Sequence, residues 1–282
     1  MLSRREFSRL ALATSAASTL TAKIDSTVGG VLIGVQTYSF RDRSLEDAIA
    51  AMRQIGLGYV ELWSGHVEPR DLKRDDLRKW RLSTPMDHFR NVRNAFNDAG
   101  ITLYAYNYSF RDDFSDEEIA RGFEMAKALG VKYLTASSNV STAKRVDPHA
   151  ARAKITVGMH NHSNLKPNEF ARPEDFAEAM KGMARYIAVN LDIGHFVAAG
   201  FDPVDYIAKN HARIVTLHLK DRRKNQGENV PFGEGDTPIK EVLQLLRKMK
   251  LKIPANIEYE YKGADTFIEV TRCFDFCRKA LA

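Results

Sequence analysis

The chain has 282 residues, 44% hydrophobic and 28% charged, the balance of a globular protein with one large core or two small ones. Its formal net charge of +6 is mild. The segment densest in basic residues, Arg70–Arg81, also carries acids, so it reads as a solvated face rather than a nucleic-acid footprint. No apolar run approaches the roughly 20 residues that span a bilayer.

The first residues stand apart. Ser3-Arg4-Arg5-Glu6-Phe7 is followed by Leu10-Ala11-Leu12-Ala13 and then by small residues, a basic region leading a short apolar one. Adjacent arginines with phenylalanine two positions on resemble a twin-arginine export signal. Residues 1–25 are therefore expected to be an export segment, 26–282 the folded domain, and the location periplasmic or otherwise exported, with no membrane association after export. Cys273 and Cys277 lie four apart near the C-terminus. On a helix their Cβ vectors run side by side, which suits small buried hydrophobes better than a disulfide.

From Val31 onward apolar runs alternate with amphipathic segments. Val31–Phe40 reads as the first strand. Ser44, with Asp47 at the capping-box position, opens a helix that Gly56 stops. Tyr59–Trp63 is strand two, followed by a polar excursion from Ser64 to Ser83. Thr84-Pro85 opens a helix ending at Gly100, and Ile101–Tyr108 is strand three. Ser115 and Glu118 form a second capping box on a helix that ends at Gly130. Val131–Ala136 is strand four, with a short helical stretch within Thr142–Ala153. The second half repeats the rhythm: strand five at Ile155–His162, a helix at Pro173–Arg185, strand six at Ile187–Asp192, a helix from Asp202-Pro203 to Asn210 and strand seven at Ile214–Lys220. A glycine-rich loop, Gly227–Asp236, leads to a helix from Thr237-Pro238 to Met249, strand eight at Ala255–Tyr261 and a last helix over Ala264–Ala282. Eight strand–helix units in about 250 residues are the pattern of a single (β/α)8 TIM barrel. A doubly wound open sheet is the alternative, but no G-x-G-x-x-G follows the first strand.

Residues two apart in a strand face the same side. One parity gathers polar residues at the strand ends: Gln36 and Tyr38, Glu61 and Trp63, His160 and His162, Asn190 and Asp192, His218 and Lys220, Glu258 and Glu260. The opposite parity is mostly apolar. A barrel lumen is normally filled by branched apolar side chains, so polar residues at the C-terminal strand ends describe a site. Buried acids and imidazoles are costly unless paired or bound to a cation. The expected ligand set is His160, Asp192, His218 and Glu258. Mixed imidazole and carboxylate suits Mn²⁺ or Zn²⁺, with Co²⁺ or Fe²⁺ also compatible and Mg²⁺ less favoured because of the two imidazoles.

Four stretches, in this order and spacing, resemble a known family: Leu191-Asp192-Ile193-Gly194-His195, His218-Leu219-Lys220-Asp221, Phe232-Gly233-Glu234-Gly235-Asp236 and Ile257-Glu258-Tyr259. They are similar to the xylose isomerase-like TIM barrels, within these most like the sugar phosphate isomerase/epimerase group, over residues 31–280. The resemblance implies one divalent cation held on strands five to eight, with Asp192, His218 and Glu258 as ligands and His195 at substrate oxygens rather than at the metal. Epimerase-type members carry a glutamate at the strand-five position, where it is both ligand and acid/base. Here His160 stands there, in the run His160-Asn161-His162, which puts the symmetric two-carboxylate proton transfer in doubt. Dehydratase-like relatives can carry histidines there, so a lyase acting on a keto-sugar or inosose-like substrate gains weight. The family also resembles the endonucleases of abasic-site repair, but Asp221-Arg222-Arg223 lacks the histidine that those need.

The expected chemistry is polarisation of a carbonyl and a neighbouring hydroxyl in a ketose or keto-sugar, with a metal-stabilised enediolate. Glu258 is the first candidate for the base, and His162, His195, Lys220 and Glu61 are candidates for the second proton step. Tyr38, Trp63, Tyr104, Tyr106 and Phe196 offer apolar walls, and Glu260 a further substrate contact. Arg222 and the Gly233/Gly235 loop give slight support for a phosphate site, which Glu234 and Asp236 nearby oppose. Gly194 is expected to let the chain turn tightly out of the barrel. The expected partner is a small carbohydrate, with no nucleic acid and with homo-oligomers open. A non-catalytic sugar-binding barrel and a subunit of a glycoside-processing complex are the readings from other classes.

Overall fold

A computed structural model describes residues 22–282. The expected export segment lies outside them except for residues 22–25. The chain is already packed at Ile24, which donates its N–H to the Gly100 carbonyl at 2.9 Å. Its backbone lies so close to Gly58 that a Cβ there would stand 1.8 Å from the Ile24 oxygen.

Eight strands follow: β1 (Val31–Gln36), β2 (Tyr59–Trp63), β3 (Thr102–Asn107), β4 (Tyr133–Ala136), β5 (Thr156–His160), β6 (Ile187–Asp192), β7 (Ile214–Leu219) and β8 (Ala255–Ile257). Each is parallel to the next, and β8 pairs back onto β1, which closes the barrel. A two-residue strand, Thr27–Val28, pairs antiparallel with the start of β1. The helices are α1 (Leu45–Ile55), α2 (Arg74–Ser83), α3 (Met86–Asp98), α4 (Asp116–Leu129), α5 (Val140–Ala153), α6 (Pro173–Met180), α7 (Ile193–Ala198), α8 (Pro203–Asn210), α9 (Ile239–Lys248) and α10 (Thr266–Leu281). The fold is the single (β/α)8 barrel that the alternation predicts. The caps also stand: Ser44 accepts from the Asp47 N–H, Asp202 from the Val204 and Asp205 N–H groups, and Gly56 and Gly130 end their helices in the left-handed region.

Several details differ from the sequence reading. Strand one stops at Gln36 rather than Phe40, because the Gln36 side chain accepts the Tyr38 N–H at 2.7 Å and starts a 3-10 turn over Thr37–Phe40. The helix expected to reach Arg185 ends at Met180. The short helix α7 has no counterpart in the sequence reading.

The excursion after β2 is not a loosely solvated face. Its helix α2 is fixed to α4 by ions. Arg74 and Arg78 reach Glu118 at 2.8 and 2.9 Å, while Arg81 pairs with Glu68 at 2.6 Å. Glu118 is fully buried, so its side chain turns to the guanidiniums instead of closing the capping box. Burial alone would raise its carboxyl, but Arg74 and Arg78 outweigh that and hold it below the usual range. A folded-state pKa below the unfolded value means stability that is present above about pH 4.3 and is lost as pH falls through the folded value. Glu118→Gln is therefore expected to cost about 3 kcal/mol at pH 7. Urea unfolding at pH 7 and at pH 3 checks this, since the difference from wild type should shrink at the lower pH.

Candidate metal centre and active site

The interior of the barrel carries a polar layer below the C-terminal strand ends. Glu61, Tyr104, Thr135, Thr216 and Asn256 are all buried. Thr135 donates to Glu61 Oε1 at 2.6 Å and the Asn256 amide to Glu61 Oε2 at 2.9 Å. Thr216 meets Tyr104 at 2.8 Å. This layer is the floor on which the site stands.

Above it, β5, β6 and β7 supply His160, Asp192 and His218, and Glu258 follows the end of β8. Register aligns them: Asp192 lies opposite His218, and His160 opposite Asn190. One donor atom from each of the four lies within 4.8 Å of the other three, and all four residues are buried. Asn161 ties two strand ends together, donating to the Asp192 carbonyl at 3.0 Å and accepting its N–H at 2.9 Å.

Two atoms bear on whether a cation fits. His160 Nε2 is buried without a hydrogen-bond partner and stands 3.6 Å from Asp192 Oδ2, which Lys220 Nζ also faces at 3.0 Å. An unmade bond of this kind costs about 1–3 kcal/mol, and a cation held between His160 and Asp192 removes the cost. Two imidazoles with two carboxylates form a donor set suited to a divalent transition metal. The residues present therefore fit the group. Glu61 Oε2 lies 2.9 Å from His218 Nε2, while His218 Nδ1 faces Glu258 Oε2 at 3.1 Å. This is the carboxylate–histidine support that fixes a ligand ring.

Lys220 is the internal cation of the cluster. Its Nζ is 3.0 Å from Asp192, 2.9 Å from Glu258 and 2.6 Å from Glu260, and the residue is buried. Burial would lower its pKa, but the three carboxylates outweigh that and keep it charged. For Asp192 and Glu258, burial acts to raise the carboxyls. His195 and Lys220 at the first, and His218 and Lys220 at the second, outweigh it and hold both well below the usual range. At Asp192 the full charge comes from Lys220, because burial pushes His195 itself well below its ordinary value. His218 moves the other way: burial is outweighed by Glu258 and Glu61, and its pKa rises.

The cluster opens into a cavity of about 350 Å³. One side is lined by His160, His162, His195, His218, Lys220, Glu258 and Glu260, the other by Gln36, Tyr38, Trp63, Asn107, Ser109 and Ser137. His162 is exposed there, and His195 Nε2 stands 3.1 Å from Lys220 Nζ.

Some expected site residues lie elsewhere. Glu61 is fully buried beneath the cavity and meets His218, so it stands behind a candidate ligand and not at the cavity surface. Arg222 is anchored behind His195: Nε and Nη2 donate to the Gly227 carbonyl, and Nη1 to Ser163 and His195. Tyr104 belongs to the floor, Tyr106 reaches Glu68, and Phe196 packs in the core. Of the expected aromatic walls, Tyr38 and Trp63 line the cavity. Gly194 is required for a different reason than a turn. It lies within helical α7, and a Cβ there would stand 2.6 Å from the Lys220 carbonyl. Asn107, Ser109 and Ser137 are cavity residues that the sequence reading did not select.

Comparison with known proteins agrees with this fold. Solved structures share the fold: a sugar phosphate isomerase/epimerase from Parabacteroides distasonis (19% identity, TM-score 0.63, covering 93% of this chain and 99% of that one) and the probable 3-DHS dehydratase AsbF of Bacillus anthracis (16%, 0.67, 87% and 99%). The zinc-bound IolI protein is a third (15%, 0.64, 88% and 95%). At these identities the likeness establishes the fold alone. An uncharacterized protein of Methanocaldococcus jannaschii is 27% identical over 116 residues, and the match spans 40% of this chain and 39% of that protein. Residues 49–275, most of the barrel, match the model of one family, and the chain belongs to it: the xylose isomerase-like TIM barrels.

Proposed function

We propose that this protein is a divalent-metal-dependent sugar isomerase or epimerase acting on a ketose or keto-sugar. The observation that carries the reading is a buried four-donor cluster at the base of a cavity, in which His160 Nε2 is without a hydrogen-bond partner and faces Asp192 Oδ2 at 3.6 Å. His160, Asp192, His218 and Glu258 would hold the cation. When bound, such a cation supplies Lewis-acid polarisation of substrate oxygens.

The remaining chemistry belongs to the chain. Glu258 lines the cavity as an anion and is the base that takes a proton from carbon. Paired with Lys220 and His218 it is too acidic to be an effective base. A shift of Lys220 fully onto Glu260, already 2.6 Å away, raises its basicity. Return of the proton by Glu258 to the adjacent carbon gives isomerisation. Lys220 is the acid that serves substrate oxygens, and neutral His195 beside it, whose Nδ1 accepts from Arg222, carries its proton on Nε2 and donates to a substrate oxygen. The second reading is a lyase. His160 leaves one ligating glutamate as base, with an ammonium 2.9 Å away to protonate a departing hydroxyl. The structural likeness to a probable dehydratase supports it. Export through residues 1–25 is part of the proposal, and fractionation of expressing cells tests it.

Calorimetry with Mn²⁺ and Zn²⁺ should show one site in the wild type. Asp192→Asn and Glu258→Gln should lose it, and Glu61→Gln should bind about 10–100-fold more weakly, because His218 loses its carboxylate support. Undiminished binding in the two ligand variants sinks the metal reading. NMR of a ketose and keto-sugar panel in D₂O separates the reactions: deuterium at carbon with water retained supports the isomerase, and loss of water supports the lyase.

A further inference from the structure

The two halves of the cavity differ in charge. The strand β5–β8 side carries the charged cluster. The opposite side carries Gln36, Asn107, Ser109 and Ser137 together with the rings of Tyr38 and Trp63, and none of these is charged. Tyr38 and Trp63 meet edge to face at 5.0 Å and 82°, and both are half-buried. Such a corner offers π-faces to C–H groups, beside amides and hydroxyls that can bind hydroxyls.

Among the described residues that line this cavity, Lys220 is the one lysine or arginine; Arg70, outside the lining, packs over the Trp63 ring at 5.8 Å and donates to the Arg41 carbonyl at 2.9 Å. Lys220 is shared among three carboxylates. Arg222 is committed to Gly227, Ser163 and His195. Arg41, beside Tyr38, donates to the Tyr259 carbonyl at 2.8 Å and packs on the rings of Tyr38 and Tyr259. The glycine-rich loop could in principle cradle a phosphate with its backbone amides, but a carboxylate of the chain already fills that role. Buried Asp221 accepts the N–H groups of Gly233 at 2.7 Å, Gly235 at 3.1 Å and Thr237 at 3.2 Å. A Cβ on Gly235 would lie 2.1 Å from the Asp221 oxygen, so the loop is closed tightly around it. Glu258 and Glu260 face the cavity and repel an anion.

We propose that the site takes an uncharged polyhydroxylated ring, an unphosphorylated sugar, with a C–H face against Trp63 and Tyr38 and hydroxyls on Gln36, Asn107, Ser109 and Ser137. The proposal rests on this cavity being the active site proposed above, and it selects among the substrates that reading allows. It separates this chain from those relatives whose names specify a sugar phosphate.

Calorimetric binding of matched probes to the full chain tests it: D-fructose against D-fructose 6-phosphate, and D-glucose against D-glucuronate. The neutral member of each pair is expected to bind at least tenfold more tightly. Trp63→Ala should weaken neutral binding roughly tenfold, the order of one aromatic contact, and Trp63→Phe should retain most of it. Equal or tighter binding of the phosphate or the acid overturns the proposal. So does the absence of binding by both neutral sugars, or unchanged neutral affinity in Trp63→Ala. These measurements need no turnover. Neutral sugars that bind to a protein lacking metal uptake and deuterium exchange would leave this inference standing while the enzyme reading fell.

Discussion

The structure is organised by the cost of placing carboxylates inside a barrel. Asp192 and Glu258 are buried at the ends of β6 and β8, on either side of β7, and Glu260 stands at the cavity beside them. Ions of this kind are each destabilising by several kcal/mol unless something opposes their charge. Lys220 opposes it within the chain, and its ammonium reaches all three. The same ion bears on two neighbouring choices. Burial keeps His195 neutral, and the full positive charge 3.1 Å from its ring acts in the same sense. Residue 194 has to be glycine because the backbone carrying Lys220 passes directly over it.

The polar floor makes the arrangement rigid from below. Glu61 joins three strands: it accepts from Thr135 on β4 and Asn256 on β8, and it holds His218 on β7. A satisfied buried network of this kind fixes one geometry, since each member would be left costly and unpaired if its neighbour moved. A branched apolar lumen would fill the same volume but would leave the His218 ring free to rotate. The floor therefore connects the packing of the barrel to the direction of a ligand nitrogen.

Much of this was legible in the sequence. The alternation of strand and helix gave the barrel, and the parity of the polar strand ends brought His160, Asp192, His218 and Glu258 together. Parity failed where the pleat is interrupted. Val60 pairs with Leu103 but Glu61 pairs with Ala105, so Tyr104 is an extra residue in the ladder and the facing of β3 changes there. Tyr104 then belongs to the floor, while Asn107 and Ser109 reach the cavity, and no alternation rule points to them. Parity also cannot give depth along a strand. Glu61 and Trp63 share a face, yet the first lies under the site and the second lines it. The guanidinium of Arg222 and the helix α2 escaped for another reason. Their partners Ser163, His195 and Glu118 come from distant elements, and local composition shows charge without showing what neutralises it.

His160 is where fold and chemistry meet. A glutamate at this position would add a fourth negative charge beside Asp192, Glu258 and Glu260. With histidine there, the cluster gains no further negative charge for Lys220 to oppose. A histidine rather than a carboxylate on strand five, an uncharged opposite wall and a glycine-rich loop closed on Asp221 are three separate features with the same electrostatic consequence. Under the proposed function, a histidine in place of a second carboxylate suits an uncharged substrate and leaves the proton chemistry to Glu258 and Lys220.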